Sequence, residues 1–315
     1  MSNLSISKII DKPLDFGKVL VIYGGNSNER DVSLKSGKAV LEALRSKGIN
    51  AYGWDPKIEP LYKIINSNFD RAWIALHGKG GEDGSIQGAL EFLGIPYTGS
   101  DVLASSIAMN KIMSKKLFQN NSIPTPDYKI IHTKRDAFEA TERLGLPMII
   151  KPISEGSSIG MSVISDICEL EEAVNLALGY NDIALAEECI IGDELTVTIL
   201  NRNTLPSIRI KTPRVFYDYR AKYKSIETHY ICPGTDDVKT EKIYADLALK
   251  AFDALGCNGW GRVDFMRHGG DVPKVLEVNT VPGMTEKSLV PMAALQSGID
   301  FPDLCWSILE TSIEI

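Results

Sequence analysis

Two groups of residues in this chain have the types and spacing to do chemistry. The first is the run Lys151-Pro152-Ile153-Ser154-Glu155-Gly156-Ser157-Ser158-Ile159-Gly160, lying between two predicted strands. Gly156 and Gly160 let backbone amides approach an anion, Ser157 and Ser158 add hydroxyl donors, and Lys151 can set a positive charge on nucleotide phosphates. Taken alone, the run reads more readily as a plain hairpin turn. The GxxxxGK[ST] loop is absent and Gly24-Gly25 does not complete GxGxxG, which disfavours P-loop kinases and Rossmann dehydrogenases. The second group is Arg262, Asp264, Glu277 and Asn279, carried on GRVDF and LEVNT. Strand alternation puts Arg262 with Asp264 on one face, and likewise Glu277 with Asn279. If those strands pair, three oxygen ligands and a guanidinium converge. Hard oxygen donors without His or Cys suit magnesium, which takes the rest of its shell from water and substrate phosphates. An ion-paired sheet face would explain either strand alone; two such strands followed at once by Thr280-Val281-Pro282-Gly283-Met284-Thr285 favour a site.

The elements that must position these groups follow an alternation of apolar runs and amphipathic segments. Val19 to Tyr23 reads as a strand, followed by Gly24-Gly25 and a helical pattern through Leu34, Ala39, Leu41 and Leu44, which together make a βα unit. Ala72 to Leu76 repeats the strand and leads through HGKGGEDGS to a short helix ending near Gly94. Residues 1–108 are therefore expected to form an open α/β domain, and residues 109–191 a small α+β domain. Residues 192–315 read as a strand-rich unit (ELTVTIL, PSIRI, GRVDFM, KVLEVN) with a helix from Thr240 to Leu255.

Composition narrows the partners. The 315 residues are 44% hydrophobic and 24% charged with a net charge of -7, and the charges are interspersed. This leaves no electrostatic footprint for nucleic acid or an anionic membrane, and a small-molecule substrate is the expectation. No apolar stretch approaches the ~18 to 20 residues of a membrane span, and MSNLSISKIIDKPLDF reads as a short leader onto the first strand. The five cysteines, Cys168, Cys189, Cys232, Cys257 and Cys305, are odd in number, far apart and without a CxxC pair. That disfavours a disulfide framework or a zinc site, leaves them as small hydrophobes, and makes a reducing cytoplasm the expected location.

HGKGGEDGSIQGALEFLGIPYTGS, KPISEGSSIGMS, FYDYRAKY, GWGRVDF, LEVNTVPGMT and SLVPMAA occur in one order along the chain. With them, nearly the whole sequence after the leader resembles the D-alanine:D-alanine ligases of the ATP-grasp superfamily. The resemblance implies an α/β ATP-grasp fold with an α+β central part and an antiparallel C-terminal sheet. ATP would lie between the central and C-terminal sheets, and the amino acids where all three domains meet. It implies that Lys111 and Lys151 contact phosphates, that Glu187, Glu188, Cys189 and Ile190 form the adenine hinge, and that Glu194 holds the ribose. Lys222 would reach the phosphates from a long loop. Asp264, Glu277 and Asn279 would hold two Mg2+, with Mn2+ as the alternative. Glu29 would receive the ammonium of the first D-alanine with His77 nearby, Arg262 and the Gly283 amide would form the oxyanion site, and Ser288 and Leu289 would receive the carboxylate of the second. The Ser157 loop and the segment from Tyr217 to Cys232 would close as a lid, with Tyr223 and Ser157 linking it to Glu29.

The resemblance further implies a D-alanyl phosphate intermediate, a role in peptidoglycan precursor synthesis and a homodimer. Another ATP-grasp ligase, for D-alanine and D-lactate or for other amino acids, is the nearest alternative, but the lactate branch usually carries phenylalanine where Tyr223 stands. A non-catalytic nucleotide-binding regulator would have no need of the intact Arg262, Asp264, Glu277 and Asn279. Two positions depart from the family pattern: Glu188-Cys189, where a lysine and an aromatic residue are usual, and Val281, where serine is common. His132, His229 and His268 read as surface residues.

Overall fold

The computed structural model describes residues 10–211 and 228–313. Lys222 and Tyr223 lie outside the described residues, as does most of the expected Tyr217 to Cys232 lid.

Three sheets organise the chain. The first is parallel, in the order β2-β1-β3, from β1 (Lys18–Ile22), β2 (Asn50–Trp54) and β3 (Arg71–Ile74). Every residue of β1 after Lys18 is buried, as befits a central parallel strand covered on both faces. Helix α1 (Arg30–Ser46) packs against this sheet through Val40, Leu41 and Leu44, and so closely at Gly37 that an added Cβ would lie 2.1 Å from Tyr23 Cβ. Two short helices follow, α2 (Ser85–Phe92) and α3 (Val102–Met109), before α4 (Lys111–Asn120).

The second sheet is antiparallel, in the order β4-β7-β5-β6, from β4 (Tyr128–Ile131), β5 (Met148–Pro152), β6 (Ser162–Ile164) and β7 (Ala184–Glu188). Helices α5 (Lys134–Leu144) and α6 (Leu170–Leu178) cover one face, packing Ala137, Ala140, Ala173 and Val174 against Ile131, Met148, Ile150 and Ala186. The start of α5 is fixed by a reciprocal Thr133–Asp136 capping box.

The third sheet is also antiparallel. Its order is β11-β10-β8-β12-β13, with β9 on β8, from β8 (Asp193–Leu200), β9 (Asn203–Thr204), β10 (Ile208–Lys211), β11 (His229–Ile231), β12 (Trp260–Arg267) and β13 (Lys274–Asn279). Helix α7 (Val238–Ala254) covers it, placing Tyr244 and Phe252 on Leu195, Val263 and Phe265. The last two helices, α8 (Leu289–Gln296) and α9 (Phe301–Glu310), return to the first sheet: Val290, Ala293, Leu304 and Ile308 share a core with Val19, Leu20 and Trp73. No helix among the described residues is long and apolar enough to cross a membrane.

The α/β class with two antiparallel sheets is as expected from the sequence. Cys257 and Cys305 are buried, as small hydrophobes would be, but Cys168 is exposed and Cys189 and Cys232 are half-buried; all five are free thiols.

Candidate active site

The Ser157 run is the loop of the β5–β6 hairpin, as the turn reading has it. Ser157 and Ser158 hold positive φ, 50° and 59°, a strained choice for residues with a Cβ. The loop is tied to its surroundings on three sides. Ser157 Oγ donates to Glu29 Oε1, Asn28 Nδ2 donates to Glu155 Oε2 at 3.3 Å, and Lys111 Nζ donates to the Glu155 carbonyl at 2.9 Å. Glu29 stands at the N-terminal end of α1. Its approach is fixed by Asp55, which pairs bidentately with Arg30 (2.7 and 3.1 Å) and accepts the Gly25 amide at 3.0 Å. This is what Gly24-Gly25 is for: at φ +85°, a Cβ on Gly24 would sit 2.6 Å from the Asp55 carboxyl.

Strands β12 and β13 pair as anticipated, Arg262 opposite Asn279 and Asp264 opposite Glu277, with a bulge after Asp264. Arg262 grips Asp264 through two 2.7 Å hydrogen bonds, and Asn279 Nδ2 donates to Asp264 Oδ2 at 2.9 Å. Across from them, Lys111 Nζ lies 3.1 Å from Glu277 Oε2. Burial alone would lower the Lys111 pKa, but Glu277, with Glu187 and Glu29 behind it, holds the ammonium above its usual value. Among the described residues no group of three or more His, Cys, Asp or Glu forms a cage. Two carboxylates and a carboxamide oxygen are a donor set that fits Mg2+ completing its shell with phosphate oxygens and water.

These groups line two adjoining cavities. The first lies between the second and third sheets, walled by Ile149, Met161, Met266 and Leu276, with Lys111, Lys151, Glu194 and Asp264 at its polar side. The expected hinge borders it: Glu187, Glu188 and Ile190 line this cavity, whereas Cys189 lines only a neighbouring pocket, which shares Glu188, Ile190 and Met266 with the first. Glu188, where lysine is usual, is paired with Lys274 of β13 at 2.7 and 2.9 Å and accepts the Asp127 amide at 3.2 Å, bridging the two sheets. Lys151 ion-pairs with Glu187, whose other oxygen is held by Lys115. Burial would raise the Glu187 pKa, but the two lysines hold it low.

The second cavity, about 800 Å³, is lined by Glu29, His77, Arg262, Asn279, Gly283, Ser288 and Leu289. The two cavities share Gly156, Ser157 and Glu277. Ser288 caps the start of α8 and accepts the Thr285 amide at 3.0 Å, and a Cβ on Gly283 would lie 3.2 Å from its hydroxyl. His77 is buried and bonds to protein on both ring nitrogens: Nδ1 lies 2.8 Å from the Val281 carbonyl and Nε2 3.1 Å from Ser36 Oγ. A carbonyl only accepts, so Nδ1 carries the proton, Nε2 accepts from Ser36, and the ring is neutral. Ser36 in turn accepts the Met284 amide at 3.1 Å. His77 therefore borders the cavity while fixing the Val281–Met284 turn. Val281 is buried at 4% exposure and contributes its carbonyl rather than a side chain. His132, His229 and His268 are exposed, although His268 Nδ1 does find a partner in the Ile191 carbonyl at 2.7 Å.

Three residues of this neighbourhood escaped the sequence reading. Ser36 holds the turn. Lys115, one helical turn from Lys111, is wholly buried, and burial pushes its ammonium down to about 8 against the pull of Glu187. Glu82, inside HGKGGEDGS, lines the second cavity and accepts the Gly78 amide at 2.6 Å; burial, then the charges of Glu29 and Glu277, push its carboxyl up to about 8. The i,i+4 spacing of Lys111 and Lys115 was the available signal, since it puts both ammonium groups on one helix face.

Two antiparallel sheets closing on a cavity furnished with lysines and opposed carboxylates, beside a parallel α/β unit, define the ATP-grasp architecture. The family profile described as "D-ala D-ala ligase C-terminus" matches residues 117–310, and that described as "D-ala D-ala ligase N-terminus" matches 58–100. A D-alanine--D-alanine ligase of Pseudoalteromonas atlantica is 50% identical over 94% of this chain and 95% of its own length, and one of Pseudomonas fluorescens 48% over 96% and 93%. Two crystal structures of a Bacillus anthracis D-alanine--D-alanine ligase superpose with TM-scores of 0.84 and 0.83 at 36% and 33% identity, covering 94% of this chain and 97% of theirs; the second is complexed with ATP. The chain belongs to the D-alanine--D-alanine ligase family.

Proposed function

We propose that this enzyme uses ATP to join two D-alanine molecules into D-alanyl-D-alanine for peptidoglycan precursor synthesis, releasing ADP and phosphate. The observation that carries the reading is the junction of the two cavities at Gly156, Ser157 and Glu277. A γ-phosphate at the polar end of the first cavity would there face a carboxylate bound in the second.

On this reading the adenine sits against the strand end at Glu187 to Ile190 and the ribose at Glu194. Lys111 and Lys151, with Lys222 from outside the described residues, bind the phosphates. Asp264, Glu277 and Asn279 would hold two Mg2+, or Mn2+. When bound, these ions offset repulsion between the phosphates and the incoming carboxylate. Glu29 receives the first D-alanine ammonium, which orients its carboxylate towards the γ-phosphate, and phosphoryl transfer converts a poor acyl donor into D-alanyl phosphate. The second D-alanine is anchored by its carboxylate at Ser288 and Leu289, where the start of α8 favours an anion. Its amine, once deprotonated, attacks the carbonyl. Arg262 and the Gly283 amide receive the developing oxyanion, and donors already in place stabilise it most. The C–O bond to phosphate then breaks. The Ser157 loop, latched to Glu29, keeps water from the acyl phosphate, and Tyr223, outside the described residues, would extend that latch.

The chain divides on this reading into domains at 1–108, 109–191 and 192–315, works in the cytoplasm, and pairs as a homodimer. ADP formation measured across a panel of D- and L-amino acids and D-lactate is the test: stimulation by D-alanine is expected, and equal stimulation by L-alanine would overturn it.

A further inference from the structure

Lys115, Glu187 and Lys151 form a buried row of three charges between α4 and the second sheet. Lys115 is 0% exposed and Glu187 1%. Each oxygen of Glu187 is taken by one lysine, Oε1 by Lys115 and Oε2 by Lys151. Lys115 Nζ donates to Thr125 Oγ1 at 2.8 Å and to the Pro126 carbonyl at 3.2 Å, and forms an ion pair with Glu187. Thr125 itself donates to the Val275 carbonyl on β13 at 2.8 Å, so the row is braced against the strand that carries Glu277. Lys151 differs from Lys115 in one respect, since it lines the first cavity.

The charges decide what this arrangement does. Two ammonium groups and one carboxylate leave an excess of one positive charge. A buried ion must be matched where it lies, and Lys115 has no path to solvent or ligand. The excess therefore resides on Lys151, at the cavity wall. Without Lys115, Lys151 and Glu187 would close into a neutral pair, and an anion entering the cavity would have to compete with Glu187 for Lys151.

We propose that Lys115 is a positioning residue for nucleotide binding: it matches Glu187 from inside the protein, so that the charge of Lys151 remains available to the phosphates in the first cavity. The inference rests on the nucleotide reading of that cavity.

The test is calorimetric titration of the whole enzyme, in Mg2+, with ATP and separately with adenosine, which has the base and ribose but no phosphate. Lys115→Met should weaken ATP about ten- to a hundredfold, the range for losing a hydrogen bond to a charged group, and leave adenosine within about threefold. Lys115→Met combined with Glu187→Gln restores the single positive charge and should bind ATP more tightly than Lys115→Met alone, while adenosine reports any loss from altering the hinge residue Glu187 itself. The double variant buries no unmatched charge, so it remains informative if Lys115→Met alone does not fold. Lys115→Arg, which keeps the charge, should bind ATP like the unmodified enzyme. Unchanged ATP affinity in Lys115→Met, an equal loss of ATP and adenosine, or no recovery in the double variant would each overturn the proposal. Failure of the unmodified enzyme to bind ATP would instead overturn the nucleotide reading, and that failure is distinguishable because it precedes any substitution.

Discussion

The hydroxyl of Ser157 donates to Oε1 of Glu29, 128 residues away in the chain, and this bond joins the loop of the second sheet to the helix end above the first. It places one residue that both cavities share against one that belongs to the second cavity alone.

Breaking that latch should cost catalysis rather than stability. A hydrogen bond to a charged carboxylate is worth about 1.5 to 3 kcal/mol, so Ser157→Ala is expected to lower kcat/KM for D-alanine about ten- to a hundredfold. Glu29→Gln should lower it too. If the two act as one unit, the double variant falls short of the sum of the two losses by at least about 0.5 kcal/mol. Strictly additive losses would mean that the contact does not couple loop and substrate.

Glu277 faces both cavities and pairs with Lys111, so its charge is needed twice. Glu277→Gln is expected to abolish turnover at any Mg2+ concentration while shifting unfolding by no more than about 3 kcal/mol, because the pair is only partly buried. Turnover rescued to near the unmodified rate by high Mg2+ would remove Glu277 from the metal set.

His77 gives a pH dependence with a definite sign. Burial, the largest influence, lowers its pKa below the usual value, even though Glu29 pulls the other way. The unfolded chain therefore takes up a proton near pH 6.5 that the folded chain refuses, and the stability His77 provides is present above about pH 6.5 and lost as pH falls. His77→Gln does not titrate. Thermal unfolding should find the variant less stable at pH 8 and the gap closing towards pH 5. A gap that widens with acid would mean that His77 is charged in the fold.

How far the sequence foretold this site depends on how local each signal is. The pairing of the strands that carry Asp264 and Glu277 was legible because strand alternation is written in neighbouring residues. The β5–β6 loop was legible from its glycines and serines. By contrast, His77, expected beside the ammonium site at Glu29, also fixes the Val281–Met284 turn through Ser36, a contact between residues far apart in sequence that periodicity cannot announce. The return of α8 and α9 to the first sheet was hidden for the same reason: an apolar helix face shows that it needs a partner, not which one. At the hinge, Glu188 seemed a simple departure, but its compensation is Lys274, supplied by another sheet.

The central claim is that a D-alanine carboxylate is phosphorylated and then displaced by the amine of a second D-alanine. Turnover of D-alanine labelled with 18O in its carboxylate, followed by mass spectrometry of the released phosphate and the dipeptide, tests this directly. Cleavage of an acyl phosphate at its C–O bond leaves the bridging oxygen on phosphate, so one 18O per phosphate is predicted for every D-alanyl-D-alanine formed. Unlabelled phosphate accompanying the dipeptide, or phosphate released at the same rate without D-alanine, would contradict the account.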